Sequence, residues 1–456
     1  MSRFQETSSV VYTRVVGCPV VLRAGVLALF VSWPAGAFAQ AQSEGSPPPI
    51  DLRHLFTVGY MLEDQNGDDV VDFVNARIVL PSNPNEAEVV AAANVAARLG
   101  YETSALDLGM ADIGSAGTGP FDVPVVLIGI GTGYASGVRG TAVSDPTAQL
   151  APGQGAITFV PEDAEYKKGG IRISGNDATG LLAAADYASG RYPNVWGLEG
   201  ESYEDIADKL TAFLVDHDAQ NAVLTLDGIV VDATRRGVSR LEATVRISDS
   251  ESLARVLEAI HPKNSIEADS GSVTTPVGSE DRVELSDLEF PDLHRIDLHV
   301  VAPNFSRTFR LLPDEPRDTR AGRAWSPGAM SDFTLSDLYS IEGLYRDTNQ
   351  DLVPDQVDAY VSLHGADTPG GAVDLAARIG LESAGIRLPL VRPAGQDDYP
   401  EALGLPILYG LGHYQTERLR EQGKLYAGSG DRGEGFIEMV PEAFEDKHGL
   451  VISATD

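Results

Sequence analysis

Apolar positions recur at helical spacing in two segments that read alike. In the first, Val89, Val90, Ala93, Ala96, Ala97 and Leu99 lead to Gly100; in the second, Ala372, Val373, Leu375, Ala376 and Ile379 lead to Gly380. That period, ended by glycine, predicts an amphipathic helix in each. Apolar runs of strand length flank both helices, at 74–80 and 124–128 in the first case and at 357–363 and 405–409 in the second. The later run of each pair enters a Gly-x-Gly turn, Gly129-Ile-Gly131 and Gly410-Leu-Gly412. Further strands are expected at 157–160 and 171–173, then a helix over 180–189. The order β-α-β-β-β-α predicts helices packed on a sheet.

The likeness extends beyond the helices. Ala96-Ala-Arg98-Leu-Gly100-Tyr-Glu102 is matched by Ala376-Ala-Arg378-Ile-Gly380-Leu-Glu382. Gly153-Gln-Gly155-Ala-Ile157-Thr-Phe-Val160-Pro161-Glu162 is matched by Gly433-Glu-Gly435-Phe-Ile437-Glu-Met-Val440-Pro441-Glu442. Gly170-Ile-Arg-Ile173-Ser174 is matched by Gly449-Leu-Val-Ile452-Ser453. With an acidic loop that opens each copy, four blocks recur in one order at offsets of 279 to 283, the mark of an internal duplication. In the first copy Asp177 precedes the apolar run that begins Gly180-Leu181-Leu182; Asp456, its counterpart, is the last residue of the second. Bare apolar sheet surface is costly. The expectation is therefore a truncated second copy and an N-terminal part of a longer protein.

Between the copies the pattern shifts towards strands, at 222–226, 229–231, 243–247, 283–285, 296–301 and 308–312, with one helix at 252–260. An amphipathic helix is expected over 200–219, on Ile206, Leu210, Phe213 and Leu214, and 313–332 reads as a linker or exposed loop. The expected organisation is a leader at 1–39, a linker at 40–54, a first α/β repeat at 55–220, a β-rich insert at 221–335 and a second repeat at 336–456. The fold class is α/β: two duplicated α/β sandwich units, each opened by an acidic loop, flanking a β-rich α+β insert.

The acidic loops carry the candidate chemistry. Asp64-Gln-Asn66-Gly-Asp68-Asp-Val-Val-Asp72 and Asp347-Thr-Asn349-Gln-Asp351-Leu-Val-Pro-Asp355 share the spacing D-x-N-x-D-x-x-x-D. Their register resembles the calcium loops of thrombospondin type 3 repeats, dockerins and EF-hands. Oxygen ligands stand at positions 1, 3, 5 and 9, with Asn75 and Asp358 at position 12. A hard cation takes six to eight oxygens in such a shell and removes the repulsion among the carboxylates. A solvated Asp/Asn turn is the plainer alternative. Three features depart from the EF-hand: Asp69 and Leu352 replace the glycine at position 6, neither position 12 is Glu, and strands are expected directly after the loops in place of a flanking helix pair. The expected cofactor is structural Ca²⁺, a clip at the entrance of each repeat.

Charge and compartment agree with that expectation. Arg14 and Arg23 precede an apolar run at 24–33, and Ala37-Phe-Ala39 has the form of a leader cleavage site. The run is too short to span a bilayer, so a secreted, periplasmic or cell-surface protein is expected. Cys18 is the only cysteine and would leave with the leader, so disulfides and thiolate chemistry are excluded. The mature chain would carry 31 basic against 66 acidic side chains, a net −35. Such acidity argues against nucleic acid and anionic membranes as partners.

Two resemblances bear on function. The order of elements, ending in Gly170-Ile-Arg-Ile-Ser-Gly-Asn-Asp177-Ala-Thr-Gly180-Leu-Leu-Ala-Ala, is similar to the non-catalytic α/β domain that precedes the barrel in several glycoside hydrolases. The acidic loop followed by Val74-Asn-Ala-Arg77 and Ala96-Ala-Arg98-Leu-Gly100 resembles N-terminal regions of large secreted bacterial hydrolases, including zinc carboxypeptidases of the carboxypeptidase A type. These resemblances imply an accessory region whose partner is its own downstream catalytic domain, acting on a peptide or polysaccharide. Zn²⁺ belongs to that expectation only if such a domain follows, because no histidine here has Glu three residues later.

Catalytic signals within the chain are sparse. His413 and Glu417 have a spacing that suits one helix face and a zinc ion with a third ligand, while His294 and His299 flank a strand on opposite faces. Gly129-Ile-Gly131-Thr-Gly133 lacks the spacing of a dinucleotide fingerprint. The sequence thus predicts a calcium-stabilised, non-catalytic region of a secreted hydrolase, the carboxypeptidase ahead of the glycosidase. The alternatives are a polysaccharide-binding module and a cell-surface assembly module.

Overall fold

The computed structural model describes residues 10–13, 50–114, 119–131, 150–196, 200–219, 221–234, 237–260, 282–283, 296–311, 335–341, 343–395, 404–425, 434–444 and 447–454. The apolar runs of the first half form strands β1 (Arg77–Leu80), β2 (Ala111–Ile113), β3 (Val125–Ile130), β4 (Gln154–Val160) and β5 (Gly170–Gly175). Helix α1 (Glu86–Tyr101) connects β1 to β2, and α2 (Ala178–Gly190) follows β5. The order across the sheet is β2-β1-β3-β5-β4. All neighbours are parallel except β5 and β4.

The residues expected as a separate insert continue this same sheet. Helix α3 (Tyr203–Asp216) leads to β6 (Val223–Asp232), which pairs antiparallel with β4. Strands β7 (Gly237–Arg246), β8 (Arg282–Val283), β9 (Ile296–Ala302) and β10 (Phe305–Leu311) extend it to ten strands, with α4 (Ser250–Ile260) after β7. The module boundary expected at 221 is thus crossed by a strand ladder. The reason is that β4 would otherwise be an edge of unpaired backbone groups, and β6 satisfies them.

A second boundary also moves. Ile50 to His54 were expected within a linker, yet Asp51 and Leu52 are buried. Asp51 caps a short 3₁₀ turn, forks onto Arg53, and accepts the Leu226 amide of β6 at 2.8 Å. The stretch 313–332, His294 and most of the expected leader lie outside the described residues. Val10–Thr13, inside that leader, runs antiparallel to Gly385–Leu388, a pairing that a cleaved leader would not keep.

In the second half, β11 (Ala359–Leu363), α5 (Pro369–Leu381), β12 (Val391–Pro393), β13 (Leu405–Tyr409), α6 (Tyr414–Glu421), β14 (Gly435–Phe444) and β15 (Lys447–Ala454) follow in turn. Their sheet order is β12-β11-β13-β15-β14, parallel except β15 with β14. Position for position, this is the order and sense of β2-β1-β3-β5-β4. Helix α6 covers one face of the sheet through Leu419, against Leu408, Val440 and Val451.

Helices α1 and α5 fill the space between the sheets. Every residue of α1 except Glu86 is buried. Its sequence is rich in alanine and valine, as a helix enclosed on every side requires, and the polar side chains it buries, Glu88, Asn94 and Arg98, each have a hydrogen-bond partner. Val89, Val90, Ala93, Ala97 and Tyr101 of α1 join the core of the second sheet, while Val373 and Ala377 of α5 join the core of the first. The two helices meet backbone to backbone. A Cβ on Gly100 would lie 2.1 Å from the Ala377 carbonyl oxygen, and one on Gly380 would lie 2.1 Å from that of Ala97. Two polar side chains fasten the crossing: Asn94 donates to the Val391 carbonyl at 2.9 Å and accepts its amide at 2.8 Å. Asp374, at the counterpart position of α5, accepts the amides of Gly109 at 2.9 Å and Met110 at 3.2 Å.

Candidate metal loops

Each acidic loop closes a short antiparallel hairpin. Leu62–Glu63 pairs with Phe73–Val74, and Tyr345–Arg346 with Gln356–Val357. In both, the first aspartate turns inward onto the loop's own amides. Asp64 Oδ1 accepts from Gly67 at 2.7 Å and Asp68 at 3.3 Å, and its Oδ2 accepts from Asp69 at 2.9 Å. Asp347 does the same with Gln350 at 2.6 Å, Asp351 at 3.2 Å and Leu352 at 2.8 Å. Asn66 and Asn349 each accept the amide two residues on, at 2.9 Å. Asp68 accepts from Val70 at 2.9 Å, and Asp351 from Val353 at 2.8 Å. Asp72 closes the first loop on the Gln65 amide at 2.9 Å, and Asp355 the second on the Thr348 amide at 2.6 Å.

The backbone repeats as well. Positions 4 and 6 are left-handed in both loops: φ is 75° at Gly67, 64° at Asp69, 63° at Gln350 and 70° at Leu352. The sixth position, where an EF-hand places glycine for a sharp turn, takes that conformation here with Asp and Leu. Desolvation pushes the Asp64 carboxyl up, but the amides of Gly67, Asp69 and Asp68 outweigh it and hold its pKa below the usual value. At Asp355, desolvation is likewise outweighed, by the Thr348 hydroxyl and amide and the Asn349 amide. Both groups are therefore anionic at neutral pH.

The donor set suits a hard cation, yet among the described residues no three His, Cys, Asp or Glu side chains form a ready metal-binding group. Much of the carboxylate capacity is turned on backbone amides. In the second loop the Asn349 side chain donates through Nδ2 to Asp351 Oδ2 at 3.1 Å and to Asp355 Oδ1 at 3.2 Å, bridging the two acids. Asp64, Asn66, Asp68 and Asp72 thus share one loop, and Asp347, Asn349, Asp351 and Asp355 share the other.

Asp358 does not join them. It is fully buried and forms an ion pair with Arg346 at 2.9 Å, because a carboxylate inside the core requires a charged partner. Its counterpart Asn75 is likewise engaged, donating to Glu63 at 2.5 Å. The pair Glu63 with Asn75 becomes Arg346 with Asp358, an exchange of partners legible once the repeats are aligned. Sequence reasoning missed it by counting ligands along one loop.

Two of the described histidines, His364 and His413, stand close, their ring centroids 6.1 Å apart. His413 is buried and caps α6, its Nδ1 accepting the Gln415 amide at 3.2 Å, while Glu417 pairs with Arg420. The two side chains thus have separate partners. His413 Nε2 lies 3.0 Å from Ser362 Oγ. With Nδ1 accepting, Nε2 carries the proton and donates to the serine, the reverse of what a general base needs. Burial, and then His364, push its pKa down to about 4, so the ring is neutral. His299 bridges Glu242 at 2.9 Å and Thr308 at 2.7 Å across neighbouring strands. Among the described residues no helix is long and apolar enough to cross a membrane. No protein-family model matches the chain, and no curated protein matches it in sequence.

Proposed function

We propose that this chain is a non-catalytic, extracytoplasmic accessory region built by duplication, in which two acidic loops clip Ca²⁺ and stiffen the entrance of each unit. On the resemblance stated above, it serves a secreted hydrolase as the scaffold that presents the catalytic domain. The observation that carries the reading is the common frame of the two loops: the same amides on the same side chains, and left-handed backbone at the same two positions. The duplication is supported by the shared strand order of the two sheets.

A thermal melt of the chain in free Ca²⁺ and in excess chelator tests it. A ligand bound only by the folded state stabilises by about 2.7 kcal/mol at a hundredfold excess over its dissociation constant. The melting temperature is expected to rise with Ca²⁺, the rise halving in Asp64→Ala or Asp347→Ala and vanishing in the double variant. An unchanged melt, or a shift that survives in the double variant, would reduce the loops to self-capped turns.

A further inference from the structure

The two units differ in what covers them. In the first, α2 lies over β4 and β5, and Ile157 and Ile173 beneath it are 1% and 0% exposed. In the second, their counterparts stand open: Ile437 on β14 is 55% exposed and Ile452 on β15 is half-buried. Leu375 of α5 is also half-buried where its counterpart Val95 of α1 is fully buried. Strand alternation puts Met439 on the same face as Ile437, and both Met439 and Ile452 pack against the α1–α5 core. This bare face therefore continues the interior.

Three further residues show what shape it accepts. Gly155 of β4 is a glycine because α2 rides on it: a Cβ there would lie 2.0 Å from the Gly180 carbonyl oxygen. Gly435 occupies the same place on β14, and a Cβ there would find nothing nearer than the Ser453 oxygen at 3.7 Å. At the other end, Arg98 pairs with Glu102, stacks 5.2 Å over Phe56 and donates to the Ser189 carbonyl at 2.9 Å, in the last turn of α2. Arg378 keeps the first two partners in equivalent form, Glu382 and the Tyr339 ring at 5.5 Å, with its side chain 44% exposed. Finally, among the described residues β14 ends its sheet, whereas β4 is paired onward by β6.

We propose that the open face of the second sheet is the seat of an α-helix of the α2 kind, joined to the end of β15 as α2 is joined to the end of β5. Its first turn presents a small residue to Gly435, its Leu/Ala face covers Ile437 and Ile452, and its last carbonyls meet Arg378. Gly180 to Ser189 rise about 14 Å along the helix axis. The seat is independent of the acidic loops, so its failure leaves the calcium reading untouched.

The test appends a copy of residues 178–191 directly after Asp456. In the copy, Asn replaces the Asp186 equivalent, because Arg392, which faces Asp186, has Asp112 as its counterpart. Covering Ile437 and Ile452 is expected to raise the melting temperature by roughly 5 °C and to lower binding of an apolar dye. Gly435→Leu is expected to leave the unextended chain unchanged, since the space is open, and to cancel the gain in the extended one. An extended chain with the same melt and dye binding would overturn the proposal, as would a gain that persists in the extended Gly435→Leu variant. A reversible dimer of the unextended chain, broken by Gly435→Leu, would overturn it in favour of a second copy.

Discussion

The contact between α1 and α5 offers the sharpest test of how the two sheets are held together. Gly100→Ala puts a methyl 2.1 Å from the Ala377 carbonyl oxygen, and Gly380→Ala does the same at Ala97. Carbon and oxygen need roughly 3.4 Å, so the helices must part by about 1 Å, and overpacking of this kind costs about 1–3 kcal/mol. The obstructing atom is backbone in both cases, which places the cost towards the upper end. Alanine returns up to about 1 kcal/mol of helix propensity. The net expectation is a loss of about 2 kcal/mol for each variant. Gly370, in the first turn of α5, has nothing within 4 Å of its would-be Cβ, so Gly370→Ala supplies the control, neutral or stabilising by up to about 1 kcal/mol. Urea unfolding followed by circular dichroism reads all three. One separation of the helices relieves both clashes, so the double variant is expected to cost at least about 0.5 kcal/mol less than the sum of the singles. If Gly100→Ala and Gly380→Ala matched Gly370→Ala, the close backbone crossing would be refuted.

Two further perturbations probe the same region. Asn94→Leu leaves the buried amide and carbonyl of Val391 without partners and is expected to cost about 2–5 kcal/mol, measurable by the same unfolding experiment; a loss below about 1 kcal/mol would show that Val391 finds other partners. Desolvation raises Asp186 to about 7 against the opposing pull of Arg392 and Arg191. A raised carboxyl stabilises fully below its unfolded value and loses that contribution as pH climbs through about 7, so Asp186→Asn is expected to flatten the fall in melting temperature between pH 5 and pH 8. An equal fall in both proteins would contradict it.

The local grammar of this protein is written in its residues. Apolar spacing located α1 and α5 to within a few residues, strand runs located β3 and β13, and the repeated D-x-N-x-D spacing located two loops whose side chains cap their own backbones. Such features depend on neighbours a few positions away, where period and turn chemistry are decided. Comparing the copies would also have revealed the exchange of Glu63 and Asn75 for Arg346 and Asp358. The tertiary structure alone decided the rest. Alanine and glycine carry no mark of which partner they will touch, so the meeting of Gly100 with Ala377 could not be read from either helix. Strands of similar composition do not name their neighbours, so β6 joined the first sheet where a separate module was expected. The burial of Asp51, Asp358 and His413 turned three candidates for linker, ligand and zinc site into pieces of the core, because each lies where distant segments close over it and a polar group must be paired.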